Sequence, residues 1–403
     1  MKKIQHITLL LLTISFWGII SCSKMDDYLD YTGRKEILYT GRVDSVLLHS
    51  GEERVVFTGL LISDPKISKV KIFWNTRADS IVMDMNRSAS VDSLNFPISL
   101  PEGTYNFEIF TLDDEGNSSV VVNASGISYG DVYKQSLYNR LIKNVVKMGD
   151  DVIIDWYNGV ETSPFVQINY IDENDNEHVV RIPAEEDHTV LANFKSMSQF
   201  IMQTYFLPDE TAIDTFKTDY LSIGVDEDIT NLYIKNPGNP FLRTDGTDKW
   251  STLKDWEYTP NILNQDEETT GGWSSDGNPS GVIHFESKDW GGDGVENGKI
   301  YQSFELPAGH YSFEFYSDGG GTSSFVDANF VVAEGTVLPD INELDNVLAK
   351  YYWNQNSMGG NHTMEFSLAE PTTISFGFVV SYGTYTWMHI NYVKLMNIAD
   401  AYQ

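Results

Sequence analysis

Cysteine is almost missing from this chain: Cys22 is the only one in 403 residues. A lone thiol has no partner within the chain, so disulfides are excluded, and so are zinc and iron–sulfur sites built from cysteines. Positive charge is scarce as well. Lys and Arg number 27 against 58 Asp and Glu, a net charge of −31. Such a surface repels nucleic-acid phosphates and anionic headgroups, which excludes nucleic acid as a partner and favours neutral polymers over sulfated ones. Long apolar runs are lacking too: the uncharged stretch from Ile7 to Ile20 falls short of the roughly 20 residues that span a bilayer. The eight histidines show no His-x-His or His-x-x-x-His spacing, so a histidine metal site would require distant residues to meet on folding. Ser-His-Asp catalysis has no nucleophile elbow to start from.

What is present begins with a signal. Lys2 and Lys3, the apolar run, and small residues at the cut form a signal peptide over residues 1–21. Ile19-Ile20-Ser21-Cys22 resembles the lipobox of bacterial lipoproteins, which implies that Cys22 becomes the lipidated first residue of the mature chain. Losing Lys2 and Lys3 takes the net charge from −31 to −33. Residues 22–40 then form an acidic tether. Its start, Ser23-Lys24-Met25-Asp26-Asp27-Tyr28, resembles the export signal that sends Bacteroidota lipoproteins to the cell surface; the periplasmic face of the outer membrane is the alternative. The membrane would be reached through the lipid anchor only.

The remainder predicts an all-β chain. Period-two apolar alternation in Val55-Val56-Phe57, Val70 to Trp74 and Tyr105 to Phe110, closed by Gly- and Asp-rich turns, predicts a fibronectin- or immunoglobulin-like β-sandwich over residues 41–130. A weaker copy of the layout, with Val152 to Trp156, Val166 to Tyr170 and Phe200 to Phe206, predicts a second sandwich over 131–235. Asn236-Pro237-Gly238-Asn239-Pro240 reads as a break. Most of the glycines and tryptophans lie beyond it, and about eight strands there predict a jelly roll over 236–403.

If those strands run up and down in order, the terse turns fall at one end and the polar loops at the other. The polar end would gather Asp289, Trp290 and Asp293 of the first loop, Trp353, Asn356 and Asn361 around another, and Tyr382 and Tyr385 at the last. Aromatic faces stack on the C–H faces of sugars, and Asn and Asp pair with their hydroxyls, so this set is the expected ligand site. Trp250, Trp256, Trp273 and Trp387 are assigned mostly to core or strand positions. No cofactor is expected beyond a weak calcium candidate at Asp289, Asp293 and Glu296, whose hard oxygens suit that ion. The acidic run Asp172 to Glu177 reads as a hairpin turn. With no segment fit for a βα barrel, binding is expected over catalysis, although paired carboxylates for glycoside hydrolysis are easy to find among so many acids.

Cys22 to Tyr28, Leu60 to Pro65, Leu100 to Tyr105 and Tyr129-Gly130-Asp131 resemble the N-terminal region of uncharacterised Bacteroidota surface lipoproteins. The region after Pro240 is similar to the galactose-binding-like jelly roll found at their C-termini. The resemblance implies an accessory glycan-binding lipoprotein of a starch-utilisation-type system, with spacer sandwiches, a neutral polysaccharide ligand and an outer-membrane transport complex as partner. The alternative is a structural or adhesin-type lipoprotein that binds a protein.

Overall fold

The computed structural model describes residues 38–62, 64–88, 90–244, 248–353 and 358–399. The signal, Cys22 and most of the tether lie outside the described residues. The fold is all-β: two tandem β-sandwiches followed by a jelly roll. The chain divides into two compact units, one holding residues up to 137 together with 207–216, the other 138–206 and everything from 217 onward.

In the first unit the alternation does what it predicts. Val55 and Phe57 on Arg54–Leu61, Val70 and Ile72 on Ile67–Trp74, and Phe107 and Ile109 on Gly103–Asp113 all point inward and are buried, while the residues between them face outward. The strand Asp44–Glu52 pairs antiparallel with Arg54–Leu61 and, through Gly51 and Glu52, parallel with Ser128 and Tyr129, which joins the two layers. The pattern Gly-x-Ser-x-Gly does occur once, at Gly126 to Gly130. It is no elbow, because Ser128 is buried within a strand and its hydroxyl donates to the Leu100 carbonyl at 2.8 Å. Residues 207–216 belong to this unit, where Asp214 accepts from Arg54 at 2.7 Å, so the span 131–235 is not one continuous sandwich.

The second sandwich encloses Val152, Ile154, Trp156, Val166, Ile168 and Phe200. Its hairpin from Phe165–Ile171 to Glu177–Pro183 turns through the acidic run. Asp172 is consumed there, accepting from the backbone amides of Asn174 and Asn176 and from the His178 ring.

Three sheets build the jelly roll. A four-stranded sheet runs Glu227–Asp228, Tyr392–Ile398, Gly309–Ser317, Gly360–Leu368. A five-stranded sheet runs Glu257–Tyr258, Val295–Leu306, Thr372–Tyr382, Val326–Glu334, Ala349–Trp353, and another runs Trp250–Ser251, Gly272–Ser274, Val282–Glu286, Trp387–Ile390, Gly319–Gly321. The strands thus pair out of sequence order rather than simply up and down. Ile229 and Ile234 share the core with Phe241, Phe313, Phe376 and Leu395, and Glu227–Asp228 pairs with the last strand. The jelly roll therefore starts ahead of residue 236, and the Asn236 to Pro240 turn packs within it rather than dividing domains.

Candidate functional site

Strand register places the starts or ends of Val295–Leu306, Thr372–Tyr382, Val326–Glu334 and Ala349–Trp353 at one end of the jelly roll, since Tyr382 pairs with both Val295 and Val326, and Ala328 with Trp353. Three segments are laced together there. The backbone N–H of Ser287 donates to the Thr386 carbonyl at 2.9 Å, and the Ser287 hydroxyl, buried, donates to the Trp290 carbonyl at 2.8 Å. The Ser324 hydroxyl donates to the Thr384 carbonyl at 2.7 Å, and Gly383 N–H donates to the Phe325 carbonyl at 3.0 Å. Gly294 is required by contact: a Cβ there would sit 1.7 Å from the Tyr382 carbonyl oxygen.

On this base stand three aromatic rings that the fold leaves in solvent. Trp290 is 51 % exposed, Tyr385 49 % and Phe325 58 %. The Trp290 and Tyr385 rings meet edge to face with centroids 6.4 Å apart. Both residues, and Asp289 before them, are held at positive φ: 47° at Asp289, 68° at Trp290 and 53° at Tyr385. Left-handed backbone at a bulky residue is an outlier, costing on the order of 1–3 kcal/mol, and persists only where the surroundings over-determine it. The hydrogen bonds above supply that constraint. Asp289 and Asp293 are exposed beside the rings, and Lys288 pairs with Glu268 at 2.6 Å. That hydrogen bond raises the Lys288 ammonium pKa and lowers the Glu268 carboxyl pKa.

Other residues expected here are placed elsewhere. Trp353 ends its strand at the right end of the sandwich but is 0 % exposed, packed on Phe315 and Phe378. It shares the inward side of the strand with Tyr351, whereas Tyr352 and Lys350 face out. Tyr382 is buried too, its hydroxyl donating to the Glu286 carbonyl at 3.3 Å, and burial pushes its phenol far above the ordinary range. Asn361 is engaged on the outer face of the four-stranded sheet, where Tyr392 donates to it at 3.0 Å. Asn356 lies outside the described residues. The carboxylates of Asp289, Asp293 and Glu296 do not converge: the one group of metal-ligating side chains that gathers among the described residues is Asp276, His284 and His389.

That group is a second constellation, formed by histidines 105 positions apart. Val282–Glu286 and Trp387–Ile390 pair with His284 opposite His389, and both rings stand on the outward side of the sheet while Ile283, Phe285, Met388 and Ile390 enter the core. The rings meet edge to face at 4.3 Å. Trp250 lies against His284 at 4.7 Å and Trp387 against His389 at 4.8 Å. The neighbouring strand Gly319–Gly321 makes room for the Trp387 indole, since a Cβ on Gly321 would sit 3.0 Å from its Nε1. Burial, and then the nearby His389, push the His284 imidazole well below its usual pKa; burial raises that of Glu286. In the sequence each strand shows only a histidine at an outward position of an apolar alternation, and nothing local reveals that the two strands pair.

A groove of about 610 Å³ on the N-terminal sandwich, lined by Asn75, Tyr105, Asn106, Glu108, Asn123 and Ser125, carries a single carboxylate and no comparable constellation.

Residues 22–216 match the domain family DUF4998 and residues 235–377 match DUF5013, each described as a domain of unknown function. No curated protein matches the chain in sequence. Among solved structures it is similar to a two-domain fibronectin type-III segment of chicken tenascin, at 8 % identity over 45 % of this chain and 97 % of that one, with a TM-score of 0.20. It is also similar to TmCBM61 in complex with β-1,4-galactotriose, at 15 % identity over 41 % and 98 % of the two chains and a TM-score of 0.22. A third is the K3 adhesin domain of Lys-gingipain from Porphyromonas gingivalis, at 12 % identity over 43 % and 98 % and a TM-score of 0.24. These are likenesses of β-sandwich folds.

Proposed function

We propose that the protein is a lipid-anchored glycan-binding protein whose jelly roll captures a neutral polysaccharide at the loop end through Trp290 and Tyr385. The observation that carries this reading is the conformation of the pair: two half-exposed aromatic residues, in mutual contact, both held in left-handed backbone by a laced set of loops. Strain of this kind gathers at binding sites, where it presents a side chain that free packing would bury. Phe325 extends the apolar surface, and Asp289 and Asp293 supply acceptors for sugar hydroxyls. Their charge, with the chain's net −31, disfavours sulfated or uronic polymers.

Under this reading the protein binds without cleaving, and serves an outer-membrane uptake complex from the cell surface. Its anchor is the lipid on Cys22; among the described residues no helix is long and apolar enough to cross a membrane. A glycan array probed with the intact protein in detergent tests the assignment. Binding to one or a few related neutral glycans is expected. Silence across the array, with capture of an outer-membrane protein that Trp290→Ala abolishes, would assign the same surface to a protein partner instead.

A further inference from the structure

We propose that Asp276, His284 and His389 hold a divalent transition-metal ion on the outer face of the jelly-roll sheet, with Zn²⁺ fitting the donor set. One ligand atom from each residue lies within 4.8 Å of the other two. A tetrahedral zinc with bonds of about 2.0 Å sets its ligand atoms about 3.3 Å apart, so side-chain adjustments of an ångström or so close the site. Two imidazoles and one carboxylate are a borderline-soft set that selects Zn²⁺ over calcium and leaves a fourth position open.

The surroundings are those of oriented ligands. His389 spends Nδ1 on the Asp318 carboxylate at 3.0 Å, and Asp318 is itself fixed by Asn391, through its side-chain amide at 3.1 Å and through its own N–H to the Asn391 oxygen at 2.9 Å. This is the carboxylate–histidine relay that fixes a metal-binding ring and leaves Nε2 for the ion. His284 has Nδ1 at 2.8 Å from the Ser274 hydroxyl and 3.6 Å from Asp276 Oδ2, so this nitrogen faces the carboxylate of the site. Nε2 of both rings is buried without a hydrogen-bond partner. Glu286 Oε2 lies 3.1 Å from Nε2 of His284 without forming a hydrogen bond to it. The buried Nε2 of His389, left without a partner, costs free energy that a bound ion would recover.

Charge points the same way. Asp276, Glu286 and Asp318 surround the rings, and Lys249 Nζ lies 3.0 Å from Asp276 Oδ2. Lys249, paired with Asp276, competes with the ion for that carboxylate. Trp250 and Trp387 wall the site and limit its hydration, and the partly exposed Asp276 is the side of entry.

Isothermal titration of the intact, EDTA-treated protein in detergent with ZnCl₂ decides the matter. One equivalent is expected to bind in the micromolar range or tighter and to raise the melting temperature. Asp276→Asn and His389→Gln should each weaken it by more than about 100-fold and Asp318→Asn by about 10- to 100-fold, while each variant still melts cooperatively without zinc. Lys249→Gln should tighten binding. X-ray absorption of the zinc-loaded protein should show nitrogen and oxygen neighbours with imidazole scattering. No binding at 100-micromolar zinc, affinity unchanged by Asp276→Asn and His389→Gln, or absence of imidazole scattering would each overturn the site.

Discussion

Replacing Trp353 with Ala separates a core tryptophan from a ligand-stacking one. The indole is fully buried among Phe315 and Phe378, and emptying such a site costs about 3–5 kcal/mol. Its Nε1 is buried with no hydrogen-bond partner, so truncation also removes an unsatisfied donor worth about 1–3 kcal/mol in the opposite sense. The difference of the two midpoints is about 2 kcal/mol. For a unit of this size 1 kcal/mol moves the melting temperature by about 2–4 °C, so calorimetry should show a drop of about 4–8 °C. Trp353→Phe keeps most of the packing and deletes the orphan donor, and should cost less than about 1.5 kcal/mol. Glycan affinity of the folded protein should be unchanged in both variants. A shift below about 2 °C in Trp353→Ala together with lost glycan binding would refute the buried placement and return Trp353 to the ligand surface.

Two further outcomes follow from the structure and the proposed anchor. His362 is buried against Phe315 and Tyr351, and burial lowers its pKa. Below about pH 6.5 the unfolded chain therefore binds a proton that the folded chain resists, and the native state loses stability as pH falls from that value towards the lowered folded pKa. His362→Phe removes this dependence, so its melting temperature should gain on wild type between pH 7.5 and 5; a constant difference across that range would refute the burial effect. For the anchor, Cys22→Ala should leave the protein in the soluble fraction, since lipid is the proposed membrane attachment. A variant that still sediments with the outer membrane would refute it.

Much of the architecture was legible because half-buried strands print their faces on the sequence. Val55-Val56-Phe57 and Val70 to Trp74 alternate cleanly, and the sandwiches follow. The end of the jelly roll that carries Trp290 and Tyr385 was also legible, since polar loops cluster there. Side-chain direction was harder. Lys350 sets the outward phase of Ala349-Lys350-Tyr351-Tyr352-Trp353, which sends Trp353 inward, and that phase is local information. Thr372–Tyr382 is buried on both sides, so it carries no phase to reveal that Tyr382 points inward. Phe325 was hidden by standing next to a strand whose apolar residues are core. The His284–His389 contact depends on which strands pair across 105 residues, and a single sequence does not record that. The Asn236 to Pro240 turn misled as a boundary because turn chemistry marks a change of direction, whether or not a core ends there.

The most direct measurement of the central claim is affinity electrophoresis of wild type and of Trp290→Ala, Tyr385→Ala and the double variant through gels containing neutral, sulfated or uronic polysaccharides. Retardation of the wild type in a neutral polymer is expected. Each single variant should lose about 1–3 kcal/mol, or about 5- to 150-fold in affinity, with its melting temperature intact. Retardation that survives in the double variant, or that appears only in sulfated or uronic gels, would contradict the account.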